Sequence, residues 1–222
     1  MTLNVYEARF LHGVMCAEET LRTAGETIGM VIPTLQSPDY ILSLYGFVAG
    51  DTDQWRPALY DGTTPVDGSR RPAGYILERD LADRTIEWLH NQKAAAPDKP
   101  FFMYWAPGAA HGPHHIFKEW ADKYKGRFDA GWDALREEIF QRQKQLGWIP
   151  ANTQLTPRAA TMASWESIPT SERAFQTRLM EVFAGFAEHA DSQAGKLIDE
   201  LDHMGIRDNT LVFYLWGDNG SS

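Results

Sequence analysis

Leu211-Val212-Phe213-Tyr214-Leu215-Trp216-Gly217-Asp218-Asn219-Gly220 is a run of six apolar residues that ends in an acid and an amide framed by glycines. Six consecutive apolar side chains bounded by turn formers are too short for a buried helix and suit a strand covered on both faces. Such a strand delivers whatever follows it to the edge of a sheet. Here it would deliver two oxygen donors, the Asp218 carboxylate and the Asn219 amide. By themselves these four residues suit a plain strand-to-loop turn as well as a cation site, because Asp, Asn and Gly all favour turns. Two oxygens also fall short of the six or more that a hard cation takes.

A second stretch has the same form. Pro100 precedes Phe101-Phe102-Met103-Tyr104-Trp105, a short apolar run that reads as another buried strand, and the loop Pro107 to His115 follows. Helical periodicity lies between and around the two. Glu78 to Lys93 places Leu81, Thr85, Trp88 and Leu89 on one face, with acids early and Lys93 late, as the helix dipole favours. Lys118 to Tyr124 predicts a short helix, and Trp132 to Leu146 a longer one closed by Gly147. Ser171 to Met204 is the longest periodic segment, with Thr170 or Ser171 as its cap and Gly205 as its stop. Its interior Gly185 and Gly195 mark bends or close packing on a sheet. Tyr45 to Arg71 is rich in turn formers and aromatics and reads as an ordered loop region. Helices alternating with buried strands predict an α/β fold with helices around a mostly parallel sheet.

Ligands of open α/β sheets bind beyond the carboxyl ends of the strands. One predicted strand delivers His111, with His114 and His115 behind it, and the other delivers Asp218 and Asn219. In one parallel sheet both groups would share a crevice. The oxygen donors suit Ca²⁺ or Mg²⁺. A single histidine that steadies an anionic oxygen or protonates a leaving group needs no partner within its motif. His114 and His115 read as loop histidines, Asp191 as a structural acid on the long helix, and Cys16 as a lone small hydrophobe. The aromatic residues from Tyr45 to Tyr60 suit an aryl pocket or core packing equally. The basic residues from Lys118 to Arg127 read as a solvated face.

Composition narrows the classes. The 222 residues carry 30 acids and 21 bases, for a net charge of −9, which speaks against a nucleic-acid partner. No apolar run approaches the roughly 18 residues needed to cross a bilayer, so no membrane partner is expected. The single cysteine allows no internal disulfide, and Met1 to Gly13 has no apolar stretch of signal-peptide length, so a soluble, cytoplasmic protein is expected.

The motifs, in their order, resemble the sulfatase family, and bacterial arylsulfatases in particular. Pro100 to Tyr104, then Ala106-Pro107-Gly108-Ala109-Ala110-His111-Gly112-Pro113-His114-His115, look like the strand and H-x-P-H loop of that family. Lys118 to Gly126 continues the likeness, Thr210 to Gly220 is similar to its second metal-binding motif, and Gly46-Phe47 to Pro65, with Thr52-Asp53-Gln54-Trp55, also resembles it. The resemblance covers about residues 45–222 and leaves 1–44 unmatched.

It implies a partial alkaline-phosphatase-like sandwich and hydrolysis of small-molecule sulfate esters, aryl sulfates among them. It also implies one Ca²⁺, with Asp218 and Asn219 as two of its ligands, and His111 as the residue that contacts the sulfate group and assists the leaving oxygen. A formylglycine, made from Cys or Ser in C/S-x-P-x-R, serves the family as nucleophile. Cys16-Ala17-Glu18-Glu19-Thr20 lacks the proline and arginine of that motif, and the family's first pair of acidic metal ligands has no match. The chain is therefore expected to be an internal part of a longer enzyme and inactive alone. Two other readings are a non-catalytic binding or assembly protein on the same scaffold, and a phosphatase or phosphodiesterase of the same superfamily.

Overall fold

The computed structural model describes residues 30–33, 42–47 and 53–215. These residues fall into two compact units. One takes the segments up to His115 and from Ala187 onward, and the other is Ile116–Phe186.

The first unit holds a four-stranded antiparallel sheet in the order β1 (Met30–Pro33), β2 (Leu42–Phe47), β3 (Leu59–Asp61) and β4 (Thr64–Pro65). Tyr45 of β2 pairs with Met30 and with Asp61, and Asp61 pairs with Thr64. The two-residue turn Gly62-Thr63 joins β3 to β4, and Gly62 at φ +58° supplies the left-handed conformation that a tight hairpin requires. The expected loop region from Tyr45 to Arg71 thus holds the end of β2 and the β3–β4 hairpin, and its other described residues are loop and a short 3-10 turn. Helix α1 (Leu77–Ala95) packs against β1 and β2. Tyr45, Leu59, Leu77 and Leu81 form the buried cluster, flanked by Val66, Tyr75, Trp88 and Trp105. Burying side chains of this size contributes about 1.5–3 kcal/mol each. Of the aromatic residues from Tyr45 to Tyr60, Tyr45 serves the core, while Tyr60 is exposed and Trp55 is half-buried. The Tyr45 and Tyr75 hydroxyls both donate to Asp80 Oδ2, at 2.6 and 2.9 Å.

The second unit contains α2 (Lys118–Asp122), α3 (Gly131–Gln145) and the first half of α4 (Thr170–His203). Helix α3 ends as its sequence predicts: Gly147 lies at φ +72°, its N–H bonds Lys144 O, and Trp148 N–H bonds Gln143 O. Helix α4 stops in the same way at Gly205, with Gly205 N–H on Asp202 O and Ile206 N–H on Leu201 O. Gly185 answers to close packing, although against a helix and not a sheet. A Cβ there would lie 2.7 Å from the backbone N of Ala121 in α2. Around Gly195 there is open space, and nothing in the structure explains that glycine.

The two predicted buried strands are not strands. Residues 101–105 carry one isolated bridge, at Tyr104, and Phe102 and Tyr104 are exposed. Residues 211–215 form no strand, and Leu211, Phe213 and Leu215 are 80%, 77% and 87% exposed. Residue 216 lies outside the described residues. A strand needs a neighbour to take its N–H and C=O groups, and neither run joins the described four-stranded sheet. The sheet that is described is antiparallel throughout, unlike the mostly parallel one expected.

The two interior glycines of α4 should respond oppositely to alanine. Gly185→Ala should cost about 2–3 kcal/mol, because backbone must move to admit the methyl. Gly195→Ala should gain about 0.5–1 kcal/mol from helix propensity alone. Urea denaturation of the two variants tests both signs.

Candidate functional site

Within the first unit, three stretches of chain converge: residues 53–56, the start of α1, and the loop 108–115. Gln54 ties the first two together. It is fully buried, its backbone carbonyl accepts Leu77 N–H at 2.9 Å, and its side-chain Oε1 accepts Glu78 N–H at 3.3 Å. A helix leaves its first N–H groups without intrahelical partners, and here a glutamine from a distant loop takes two of them.

Glu78 ties α1 to the histidine loop. Its carboxylate is fully buried, and Oε1 accepts both Gln54 Nε2, at 3.3 Å, and the Ala109 N–H, at 2.9 Å. Oε2 has no hydrogen-bond partner among the described residues. Burial pushes the Glu78 carboxyl up to about 7; the amides of Ala109, Gly108 and Gln54 pull the other way and are outweighed. Since Oε1 is already occupied by donors, the proton of the neutral form belongs on Oε2.

His111 lies in the turn that this carboxylate holds. Its N–H bonds Gly108 O at 2.8 Å, which closes the turn Gly108 to His111. The imidazole is exposed, and its Nδ1 lies 2.7 Å from Gly112 O. A carbonyl only accepts, so Nδ1 carries the proton and Nε2 is the nitrogen with a lone pair in the neutral ring.

His115, at the far end of the loop, meets Asp53. Its Nδ1 is 3.2 Å from Asp53 Oδ1, and its ring stacks on Trp55 at 5.9 Å. The same Asp53 oxygen accepts the N–H groups of Trp55 and Arg56, at 2.8 and 3.1 Å. Partial burial raises the Asp53 carboxyl, but the Trp55 and Arg56 amides and His115 outweigh it, and the net shift is downward. His115 is therefore a partnered residue of this cluster, beyond the loop histidine that its sequence suggested. Asp191 has the structural role expected of it and accepts the Tyr214 hydroxyl at 2.9 Å.

Asp218, Asn219 and Cys16 lie outside the described residues. The shared crevice of His111 with Asp218 and Asn219 is therefore not part of the described geometry. Among the described residues no group of three or more His, Cys, Asp or Glu side chains is arranged to hold a metal ion. No helix among them is long and apolar enough to cross a membrane. Sequence reasoning missed Gln54 and Glu78. Glu78 had a signal: it falls in register with Leu81, Ala82, Thr85 and Leu89, the buried face of α1.

The raised Glu78 carboxyl gives stability a pH dependence. In the unfolded chain the group ionises near 4.5, and in the fold near 7. Its contribution is thus full below pH 4.5 and lost as pH climbs through 7. Between pH 5 and 8 the folded chain should lose about 2–3 kcal/mol from this group, and Glu78→Gln should flatten that slope. Urea titrations followed by tryptophan fluorescence at several pH values measure it.

The family model for sulfatases matches residues 35–222. Among curated proteins, an uncharacterized sulfatase of Schizosaccharomyces pombe is 38% identical over 167 residues, covering 74% of this chain and 29% of that protein. An arylsulfatase of Klebsiella aerogenes is 27% identical over 187 residues, covering 80% of this chain and 39% of that protein. The chain thus spans well under half the length of these relatives. The match takes in the His111 loop, the 53–56 segment and Asp218-Asn219 together, and on that extent the chain belongs to the sulfatase family, whose domain has an alkaline-phosphatase-like α/β fold.

Proposed function

We propose that this chain is the His111-bearing part of a sulfatase catalytic domain that hydrolyses sulfate esters, with aryl sulfates as the substrate class. The observation that carries the reading is the placement of His111. Its imidazole is exposed while the turn beneath it is bonded to a buried carboxylate, within a segment that matches the sulfatase family.

Hydrolysis of a sulfate ester breaks an S–O bond and releases sulfate and an alcohol or phenol, whose oxygen needs a proton as it leaves. His111 suits that task. The Nδ1–H is engaged by Gly112 O, so protonation of the ring occurs at Nε2. The resulting Nε2–H donates to an anionic sulfate oxygen or passes its proton to the leaving oxygen.

Asp218 and Asn219 are the residues we assign to a calcium ion. Their donor set, one carboxylate and one amide oxygen, fits a hard cation but supplies only part of its coordination. When bound, the cation would neutralise sulfate charge. The family's nucleophile has no fitting residue here: the one cysteine stands in Cys16-Ala17-Glu18-Glu19-Thr20, without the proline and arginine. No step through a formylglycine is assigned to this chain, and we take it to be inactive alone. The sheet expected to be mostly parallel would then be completed by segments from the rest of such a domain.

Two measurements test this reading. The purified chain, supplied with calcium, should not hydrolyse 4-nitrophenyl sulfate above the uncatalysed rate; turnover would overturn its assignment as inactive alone. Titration with inorganic sulfate in calcium buffer should shift the His111 imidazole resonance saturably, with a Kd on the order of 10 mM, and leave the His90 resonance in place. A His111 resonance that ignores sulfate would remove its role as the sulfate contact.

A further inference from the structure

The histidine loop is held at both ends by groups that have no role in the reaction as described. At one end the Glu78 carboxylate accepts the Ala109 N–H at 2.9 Å. At the other Asp53 Oδ1 lies 3.2 Å from His115 Nδ1, and Trp55 stacks on that ring. The two acids reach the loop from different elements, the first turn of α1 and the segment 53–56. Gln54 connects those elements by bonding the Leu77 and Glu78 N–H groups and donating to Glu78 Oε1. His111 stands between the two held points, with its own N–H closing the turn onto Gly108 O.

We propose that Glu78 and Asp53 are positioning residues: together, through the Ala109 amide and the His115 ring, they clamp the 109–115 loop and fix the backbone from which His111 projects. The physical basis is the cost of the arrangement. A carboxylate taken wholly out of water, with one oxygen lacking a partner, is expensive unless its remaining bonds are strong and specific. Core packing alone would be served better by an apolar residue at position 78, next to Leu77 and in register with Leu81. Among the described residues the carboxylate makes no ion pair; its partners there are the side-chain amide of Gln54 and backbone amides of the histidine loop. Charge-assisted bonds from backbone N–H groups are about twice as strong as neutral ones, and they fix a loop in the one geometry that presents those N–H groups. Asp53 is oriented in the same manner, by the Trp55 and Arg56 amides, before it meets His115. A clamp of this kind matters for function because a catalytic side chain must be held within about 0.5 Å of its working position by its supporting contacts.

The functional meaning of the clamp rests on the reading of His111 as the sulfate contact. The clamp itself does not, and its test needs neither sulfate nor turnover. Amide hydrogen exchange of the full chain reads it. Glu78→Leu should raise exchange of the Ala109 and His111 amides by about tenfold or more, as the loss of a charge-assisted bond implies, while the central amides of α1 keep their protection. Glu78→Gln, which retains an accepting oxygen at the same reach, should restore protection to within about threefold of the native chain. Asp53→Ala should raise exchange at His115. The double variant Glu78→Leu with Asp53→Ala should loosen His111 by more than the product of the single effects.

Should Glu78→Leu fail to fold, Glu78→Asp keeps the charge but withdraws the carboxylate by one methylene, and it should loosen Ala109 similarly. The clamp is overturned if the folded Glu78 and Asp53 variants leave the Ala109, His111 and His115 amides exchanging as in the native chain. It is equally overturned if Glu78→Gln loosens the loop as much as Glu78→Leu, since retained bonding would then count for nothing. A silent sulfate titration beside a loosened loop would support the clamp and remove the sulfate reading.

Discussion

Gln54 occupies the point where three stretches of backbone meet, and the arrangement of the first unit depends on how it is bonded. A glutamine has one donor group and one acceptor group on its side chain, plus a backbone carbonyl. Here both acceptors face the open end of α1 and the donor faces Glu78 Oε1. The helix start has no side-chain cap of its own, since the residue before it is Ile76. Without Gln54 those N–H groups would be buried without partners, at about 1–3 kcal/mol each. The same residue therefore ends the loop 53–56, begins α1 and steadies the carboxylate that reaches the histidine loop.

The helices were legible in the sequence because what makes them is local. Gly147 and Gly205 each sit just past a periodic segment, and each adopts the left-handed conformation that closes the final turn. The 34-residue periodicity from Thr170 to His203 is continuous in the structure. The strands were less legible because pairing is not local. Phe101 to Trp105 and Leu211 to Leu215 have the composition of buried strands, yet neither joins the described sheet, and their apolar side chains are partly or largely exposed. Conversely, the short hairpin at Leu59 to Pro65 is hidden among turn formers, and its only local mark is Gly62-Thr63, a Gly-X pair of the kind two-residue hairpin loops use.

The candidate site divides along the same line. His111 could be singled out from its motif, and the structure places it on an exposed turn. Gln54 and Glu78 carry no motif. As an acid in the first turn Glu78 suits the helix dipole, but that accounts for its position along α1 and not for its position around it. Helical spacing sets residue 78 beside 81, 82, 85 and 89 on the face that turns inward. An acid on an apolar face is the informative exception in a pattern; here it marks a carboxylate with a bond to make elsewhere. The partner, 31 residues away on another loop, could not be read from sequence spacing.

Why a carboxylate and not an amide stands at position 78 follows from the two oxygens. Oε1 accepts two N–H groups and Oε2 has no partner among the described residues. Glutamine would satisfy the first set equally, but its NH₂ would occupy the second place with two protons and nothing described to receive them. A carboxyl group adapts: ionised, it grips the amides strongly and bears the full desolvation cost; neutral, it keeps one accepting oxygen and carries a single proton on the other. Burial sets the balance between these forms near 7. Either form leaves an acceptor on the Ala109 N–H, so the turn beneath His111 stays bonded as the group titrates. The exposed His111 imidazole thus projects from backbone whose bonding survives changes in the charge of its anchor.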